Sequence, residues 1–348
     1  MDYVNLGSTG LKVSRLCLGM MTYGAKKWRE WVLEEDEARP FIKRALDAGI
    51  NFFDTADIYS DGVSEEITGR AMQHFGVRRD SVVIATKVFN PMGNAPNQRG
   101  LSRKHIMSEV DASLKRLQLD YIDLYQVHNW DPSTPFEETL STLNDLVRAG
   151  KVRYIGHSTW PASAIVEAQW TARERSRERF VSEQPPYSIL TRGIEADVLP
   201  TCARYGMGVI PWSPLAGGWL SGRYRKGSEV TGPVSPARQR LANRFDMSLE
   251  ANQRKLDAAE KLAELANEAG MTLIQMAIAF VLRHPAVTAA IIGPRTMEHL
   301  ESQLAAADIE LSDDLLDGID QIVPPGTTIN PADGGWVSPA LEAAARRR

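Results

Sequence analysis

Short apolar runs and longer amphipathic stretches alternate over most of the chain. Eight runs rich in β-branched or aromatic residues predict buried strands at residues 15–18, 51–53, 82–86, 122–127, 152–155, 180–182, 208–212 and 290–292. Amphipathic stretches between them, such as residues 35–48, 103–117, 136–148 and 256–269, predict helices. Buried strands joined by helical crossovers pair in parallel, so eight such units predict an α/β fold, a closed (β/α)8 TIM barrel.

The first residues follow a different pattern. Val4, Leu6, Leu11 and Val13 flank the turn cluster at residues 7–10, which predicts an N-terminal β-hairpin over residues 1–13. We expect residues 1–348 to form a single barrel domain, with residues 323–348 as a C-terminal tail. Long strand-to-helix loops are predicted after Thr22, at residues 90–97 and at residues 213–245, and such loops build the sites of barrel enzymes.

The overall charge excludes some classes of partner. The chain has 348 residues, with 40 Lys and Arg against 44 Asp and Glu, a net charge of −4. This balance has no electrostatic footprint for nucleic acid or an anionic membrane, so neither is expected as a partner. Hydrophobic residues at 43% and charged residues at 24% are typical of a globular chain, which excludes a disordered one.

The cysteines and the chain ends bear on the compartment. Cys17 and Cys202 are the only cysteines and have apolar or small neighbours, so we expect buried thiols and a reducing compartment. The first residues show no secretion signal, and no apolar run is long enough to cross a bilayer. A cytoplasmic location is therefore expected. Residues 346–348, all arginine, are expected to form a solvated tail without a function.

Four polar residues follow successive predicted strands: Asp54 and Tyr59, then Lys87, then His128. In a barrel these strand ends converge. A buried lysine favours the phenolate of a neighbouring tyrosine, so Lys87 is expected to lower the pKa of Tyr59 and let it give a proton near neutral pH. Asp54 would orient Lys87, and His128 would hydrogen-bond and polarise a carbonyl oxygen. The group suits proton delivery to an oxygen as hydride attacks its carbon.

Each of these residues also has an ordinary structural interpretation. Asp54 could cap a turn, and Lys87 could extend its charged end into solvent from the end of a strand. Tyr59 could pack by its ring, and His128 could be a hydrogen-bonded histidine of the core. Taken singly, the structural interpretations are favoured. Taken together at converging strand ends, the catalytic interpretation is favoured.

Several blocks carry a resemblance to the aldo-keto reductase family. They are residues 51–59 (NFFDTADIY) with Glu65 and Gly69, residues 84–87 (IATK), 121–128 (YIDLYQVH), 150–156 (GKVRYIG) and 211–218 (PWSPLAGG). The last two blocks resemble the branch that includes bacterial reductases and potassium-channel β subunits. The resemblance implies a (β/α)8 barrel and an NADP(H)-dependent carbonyl reductase that acts by direct hydride transfer. By position it makes Tyr59 the general acid, with Lys87, Asp54 and His128 in the roles given above, and makes the reaction reversible.

The resemblance also implies where NADP(H) binds, because the chain lacks the Gly-x-Gly-x-x-Gly motif of Rossmann enzymes. Ser158 and Gln184 would bind the nicotinamide amide, Trp212 would stack on the ring, and Ser213, Leu215 and Gly217 would lie along the pyrophosphate. The remaining candidate cofactor contacts are Gly19, Met21, Thr22, Asp54, Thr159, Pro214, Gly218, Arg223, Ile292, Gly293, Arg295, His299 and Gln303.

Arg295 is the residue that favours NADPH over NADH. A guanidinium pairs with a 2′-phosphate and stacks on adenine, whereas NAD enzymes offer the ribose a carboxylate. Arg223 and Lys226 suit either phosphate contacts or a solvated loop. Two positions depart from the family pattern: Thr159 stands where asparagine is usual, and Ser302 where glutamate is common.

Two other enzyme classes lack their motifs in this sequence. The sequence around Ser158 lacks the closing glycine of a serine-hydrolase elbow, and the six histidines form no metal-binding motif, so no metal is expected. The alternative that stays open is an NADP(H)-binding regulatory or partner subunit with negligible turnover. Self-association also stays open. A small-molecule carbonyl or alcohol is the expected substrate, and its pocket is expected to use Tyr23, Trp28, Trp31, Phe89 and Trp130, with the tail around Trp336.

Overall fold

A computed structural model describes residues 1–227, 241–338, 341 and 343–346. Residues 228–240 of the predicted long loop lie outside the described residues, as do residues 339–340, 342 and 347–348 of the predicted tail. The strands are β1 (Tyr3–Asn5), β2 (Lys12–Ser14), β3 (Leu16–Gly19), β4 (Phe52–Asp54), β5 (Val83–Val88), β6 (Ile122–Val127), β7 (Val152–Ser158), β8 (Ser182–Gln184), β9 (Gly208–Val209) and β10 (Ala290–Ile292).

The helices that the structure describes alternate with these strands. They are α1 (Glu35–Asp47), α2 (Val63–His74), α3 (Arg103–Leu117), α4 (Phe136–Arg148), α5 (Ala162–Glu174), α6 (Val198–Tyr205), α7 (Ala242–Phe245), α8 (Glu250–Glu268), α9 (Leu273–Arg283), α10 (Met297–Ala305), α11 (Asp313–Ile322) and α12 (Ala343–Arg346). Side chains begin several of them at the expected positions. Ser102 accepts a hydrogen bond from the His105 N–H at the start of α3, and Thr272 and Gln275 form a capping box at the start of α9.

The strands β3 to β10 form one parallel sheet that closes on itself. Hydrogen bonding runs in the order β10-β3-β4-β5-β6-β7-β8-β9. The two ends of this order meet, because the Thr288 N–H donates to the Val209 carbonyl at 2.8 Å and the Ile291 N–H to the Pro211 carbonyl at 2.9 Å. The (β/α)8 TIM barrel is therefore confirmed, and each of the eight predicted strands overlaps an observed one.

Side chains alternate between the barrel interior and the layer beneath the helices. Cys17, Phe52, Ala85 and Leu124 belong to an interior cluster, whereas their strand neighbours, such as Leu18 and Phe53, pack in the larger core under the helices. Both cysteines are buried and free, as predicted.

The N-terminal hairpin forms the floor of the barrel. Strands β1 and β2 pair antiparallel with Val4 opposite Val13, which confirms the predicted hairpin. Leu6 and Val13 pack with the interior cluster, and the Ser8 N–H donates to the Gly206 carbonyl at 2.8 Å. This arrangement fills the end of the barrel where the strands begin and leaves the other end for a site.

Several element bounds differ from prediction. The seventh barrel strand was predicted at residues 208–212 but ends at Val209. Three further differences fall where polar residues are buried. The sixth barrel strand was predicted at residues 180–182 but lies at Ser182–Gln184, and the fifth continues past residue 155 to Ser158. Helix α8 begins at Glu250 rather than at residue 256. In these three cases the element includes buried polar residues. A prediction based on apolar residues alone therefore ends the strand too early or begins the helix too late.

Within the described residues, no single helix is long and apolar enough to cross a bilayer. By length and composition alone, α8 and α9 together would pass as one bent span, with an angle of 93° between them.

Candidate active site

Polar side chains from four strands meet inside the barrel where the strands end. Asp54 of β4 accepts hydrogen bonds at Oδ1 from Gln126 Nε2 of β6 (3.0 Å) and Gln184 Nε2 of β8 (2.8 Å). Its other oxygen, Oδ2, lies 2.5 Å from Nζ of Lys87 on β5. Lys87 also donates to the Thr55 carbonyl at 2.8 Å. The lysine is therefore fixed by two acceptors, and both carboxylate oxygens of Asp54 are engaged.

Tyr59 and His128 stand next to this ion pair. Tyr59 begins the short 3-10 turn Tyr59–Gly62 after β4, and its hydroxyl lies 3.4 Å from Lys87 Nζ. The His128 ring packs edge-on to the Tyr59 ring at 5.7 Å between centroids. Asp54 and Lys87 are buried, whereas Tyr59 and His128 keep part of their surface exposed. The structure thus brings the four predicted residues together at the carboxyl ends of β4 to β6.

The charges around Tyr59 act in opposite directions. Burial raises the pKa of Tyr59, the positive charge of Lys87 lowers it, and Asp54 raises it again, so the pKa lies above the ordinary value of 10.0. The expected net lowering of this pKa is therefore wrong for the structure described, although Lys87 does act in the predicted sense. Burial would lower the pKa of Lys87, but Asp54 and Tyr59 outweigh it and keep the lysine charged.

A neighbouring amide fixes the state of His128. Asn90 Nδ2 lies 3.0 Å from His128 Nδ1, and an amide N–H can only donate, so Nδ1 accepts and the ring proton sits on Nε2. Burial and the charge of Lys87 hold the pKa of His128 well below 6.5. The ring is therefore neutral at pH 7 and offers one N–H donor.

The residues expected to hold the nicotinamide lie beside this group. The Ser158 hydroxyl donates to the Gln184 carbonyl at 2.9 Å, and Trp212 Nε1 donates to the Thr159 hydroxyl at 3.3 Å. With its Nε2 protons directed at Asp54 and Gln126, Gln184 keeps its Oε1 as the acceptor suited to an amide N–H.

The loop after β9 has the backbone of an anion cradle. Left-handed φ angles occur at Ser213 (56°), Ala216 (50°), Gly217 (68°) and Gly218 (103°). Gly217 is exposed, and in the described part of the chain its N–H donates no hydrogen bond. Leu215 (φ −94°) followed by left-handed Ala216 is the right-to-left step that turns successive backbone N–H groups towards one side, which fits a pyrophosphate. Pro214 is buried beneath this turn, and Leu215 is half-buried.

Cationic side chains gather at the end of the site expected to bind adenosine. Burial lowers the pKa of His299, and the charges of Arg223 and Arg295 lower it further, so both guanidinium groups lie close enough to act on this ring. Both arginines are exposed. Gln303 is buried, and its Oε1 has no hydrogen-bond partner among the described residues. A concentration of positive charge beside an unpaired acceptor fits a phosphorylated adenosine.

The remaining cofactor candidates lie at the carboxyl ends of the paired strands β3 and β10. Gly293 is exposed, and a Cβ placed on it would lie 3.2 Å from the Thr22 hydroxyl oxygen, so a side chain here would crowd Thr22. Met21 is partly exposed at 38%, whereas Gly19 and Ile292 are buried and could offer only backbone atoms.

Among the predicted substrate residues, Trp28 packs near Tyr59 and Trp130 packs against Trp336 of the tail, and we call the side of the barrel that they border the cleft. The rings of Trp28 and Tyr59 are 6.5 Å apart, and those of Trp130 and Trp336 are 6.4 Å apart. Trp31 and Phe89 are half-buried. Tyr23 was wrongly included, because it has no exposed surface: it packs on Phe41 and its hydroxyl donates to the Pro294 carbonyl at 3.2 Å.

Two residues that contact the predicted group, Gln126 and Asn90, were not predicted from the sequence. Gln126 lies in the quoted block at residues 121–128, two positions before His128, and the alternation of the strand would have placed both inside the barrel. Asn90 is the first polar residue beyond the end of β5 and shares that strand's edge with Lys87.

The chain is similar to known proteins over most of its length. The model of the Aldo/keto reductase family matches residues 15–324. An uncharacterized oxidoreductase, YrpG, of Bacillus subtilis is 42% identical, over 93% of this chain and 96% of that protein. A versiconal hemiacetal acetate reductase of Aspergillus parasiticus is 37% identical over 90% and 94% of the two chains. A probable voltage-gated potassium channel subunit beta of Arabidopsis thaliana is 38% identical over 93% and 97%.

Proposed function

Because the chain belongs to the aldo/keto reductase family, whose members are oxidoreductases acting on small molecules, we propose that it reduces an aldehyde or ketone to an alcohol with NADPH. The observation that carries the proposal is the meeting of Lys87, Tyr59 and His128 at one point of the barrel rim. Tyr59 can give a proton there, Lys87 can stabilise the resulting anion, and His128 can hold a carbonyl oxygen.

The fixed tautomer of His128 defines the carbonyl position. Its Nε2–H donates a hydrogen bond to the carbonyl oxygen, because Nδ1 is occupied by Asn90. This hydrogen bond polarises the carbonyl and holds its oxygen within reach of the Tyr59 hydroxyl. NADPH, when bound, supplies the hydride that the carbonyl carbon accepts.

Tyr59 then gives its proton to the oxygen that becomes negative. A phenol with a raised pKa stays protonated at pH 7, so Tyr59 is in the state that can give a proton to this oxygen. The phenolate left behind is stabilised by Lys87, whose charge is held by Asp54. In the oxidative direction Tyr59 takes the proton back from the alcohol.

The cofactor is held along the line of candidate contacts. Ser158 and Gln184 bind the carboxamide, Trp212 stacks on the nicotinamide, and the loop at residues 213–218 binds the pyrophosphate. Arg295, with Arg223 and His299, binds the 2′-phosphate, which makes NADPH the preferred form.

A second candidate function is an NADP(H)-binding partner subunit, favoured by the 38% identity to the protein named as a potassium channel subunit beta. Such a subunit would bind NADPH and turn over carbonyls negligibly. The two candidates differ in rate and share the cofactor site.

The test is NADPH oxidation over a panel of aldehydes and ketones, with Tyr59→Phe as the variant and Tyr125→Phe as its matched control. Tyr125 is fully buried, and its hydroxyl has no hydrogen-bond partner among the described residues. We expect Tyr59→Phe to lose about 10²–10⁴-fold in rate while NADPH still binds, and Tyr125→Phe to keep the wild-type rate. Undiminished turnover by Tyr59→Phe would refute the role of Tyr59. Tight NADPH binding without turnover of any carbonyl would favour the partner subunit.

A further inference from the structure

A buried ion cluster lies outside the group just described. Asp333 accepts at Oδ1 from Arg244 Nε (2.5 Å) and at Oδ2 from Lys255 Nζ (2.8 Å), and Lys255 also donates to the Arg244 carbonyl at 2.7 Å. Asp333 and Lys255 are buried. The cluster joins the tail segment, defined here as residues 330–336, to the return segment, residues 241–249, and to helix α8.

Amide hydrogen bonds make a second connection between the same segments. Asn330 Nδ2 donates to the Asn243 carbonyl at 2.9 Å and to Asn252 Oδ1 at 2.8 Å. Asn330 and Asn252 are also buried. Displacing the tail segment would leave buried Lys255 with the Arg244 carbonyl as its remaining acceptor, and would remove the donor from Asn252 Oδ1, so it would cost free energy.

The tail segment continues from this cluster to the proposed nicotinamide end. Gly335 has a φ of +76°, and a Cβ placed on it would lie 2.9 Å from Cγ2 of Thr159 and 3.1 Å from Cζ2 of Trp212. The next residue, Trp336, packs against Trp130. The backbone of the tail segment therefore touches the ring that is proposed to stack on the cofactor, and its next side chain forms a wall of the cleft.

The return segment reaches the proposed pyrophosphate loop. A Cβ placed on Gly217 would lie 3.2 Å from Cζ of Phe245, the residue after Arg244. Phe245 stacks parallel to Trp219 at 6.0 Å, and Trp219 Nε1 donates to the Arg244 carbonyl at 3.3 Å. A continuous path of contacts thus runs from Gly217 through Phe245 and Arg244 to Asp333, and on to Gly335 and Trp212.

We propose that Asp333 is a positioning residue that couples the two ends of the site, so that the wall of the substrate pocket and the loop over the cofactor phosphates hold one arrangement together. The inference rests on the proposed function for the identity of the ligands, and on the contacts above for the coupling. Asp333 itself lies in the cluster and acts through Gly335 and Trp336 on one side and through Arg244 and Phe245 on the other.

The test compares Asp333→Asn with Asp123→Asn. Asp123 is a matched control because it is also buried, pairs with Arg79 at 2.5 Å and accepts from the Ile84 N–H at 2.8 Å, but lies near the start of β6, at the end of the barrel away from the cleft. The measurements are hydrogen exchange by mass spectrometry, NADPH dissociation followed by its fluorescence, and KM and kcat for a carbonyl.

We expect Asp333→Asn to increase exchange in residues 213–222 as well as in residues 330–336, to speed NADPH dissociation about ten-fold, and to raise KM more than it lowers kcat. Asp123→Asn should lower stability without these three changes. Faster exchange confined to residues 330–336, or the same three changes in Asp123→Asn, would overturn the coupling. Hydrogen exchange needs neither cofactor nor turnover, so it decides the coupling even where the proposed reaction fails.

If Asp333→Asn does not fold, a second variant still tests the proposal. Gly335→Ala leaves the ion cluster intact and places a methyl group against Thr159 and Trp212. Its left-handed backbone position strains an alanine modestly, which a folded chain of this size tolerates. We expect it to raise KM and speed NADPH dissociation, and unchanged values of both would overturn the inference.

Discussion

Gln184 donates a hydrogen bond from Nε2 to Oδ1 of Asp54, at 2.8 Å, across the inside of the barrel. Gln184, which is proposed to bind the cofactor amide, is thus hydrogen-bonded to the Asp54 carboxylate that pairs with Lys87. Cofactor binding and orientation of the lysine share one side chain, and they should respond together to its replacement.

We expect Gln184→Met to weaken NADPH binding and to lower kcat, each by about ten-fold or more, because a hydrogen bond to a charged group contributes roughly 1.5–3 kcal/mol. Fluorescence titration with NADPH and steady-state kinetics measure the two effects. Gln169→Met is the control, since Gln169 is also buried and donates to the Phe180 carbonyl at 2.7 Å from helix α5. A loss of NADPH affinity without any loss in kcat would separate the two roles of Gln184.

Lys87→Met should lower both stability and activity. It leaves the buried Asp54 carboxylate without its cation, which costs about 3–5 kcal/mol in the free energy of unfolding. The double variant Asp54→Asn/Lys87→Met removes both charges, so we expect it to recover much of the stability and none of the activity. Denaturant unfolding and NADPH oxidation distinguish the two quantities. If the double variant is as unstable as Lys87→Met, the buried charge is not the cause.

The rate of reduction should not depend on pH across the neutral range. Tyr59 must be protonated to give its proton, and its pKa is raised above 10.0, so the rate falls only as pH rises through that higher value. His128 must be neutral at Nδ1, and its pKa is well below 6.5, so the rate falls on the acid side only below that. The check is kcat from about pH 6.5 to 10 with 4-deuterated NADPH, which identifies the hydride step. An inflection of that step near pH 7 would show that Lys87 outweighs burial.

Arg295→Ala should weaken NADPH binding about ten-fold or more and NADH binding less than about two-fold, because only NADPH carries the 2′-phosphate. Arg225→Ala is the matched control: Arg225 lies two residues after Arg223 but pairs with Glu260 at 2.7 Å. Dissociation constants for both cofactors and both variants complete the comparison. Equal losses for NADPH and NADH would show that Arg295 does not contact the 2′-phosphate.

The apolar pattern predicted the fold because each of the eight barrel strands buries apolar side chains beneath the helices. Where the pattern was inaccurate, polar residues were buried: β7 runs on through His157 and Ser158, and β8 consists of Ser182, Glu183 and Gln184. His157 and Glu183 are fully buried and hydrogen-bonded to each other. The parts of β7 and β8 that carry Ser158 and Gln184 are therefore missed when only apolar positions are counted.

The candidate tetrad could be predicted because parallel strands place their carboxyl ends at one rim, and its geometry agrees with that expectation. Its electrostatics could not be predicted, because the pKa of Tyr59 depends on how much burial opposes Lys87. The ion cluster of Asp333 was also beyond prediction, since its partners Arg244 and Lys255 lie 89 and 78 residues away in a region without a sequence pattern.

The polar layer inside the barrel has a consequence for folding. Its hydrogen bond between Asp54 and Gln184 joins residues 130 positions apart and requires β4 to β8 to be already in place. Contacts of such sequence separation form late, because the chain between them must first be ordered. The helices can therefore be largely formed while Lys87 is still hydrated and unoriented. During refolding, recovery of activity then marks the last stage of barrel closure rather than the gain of secondary structure.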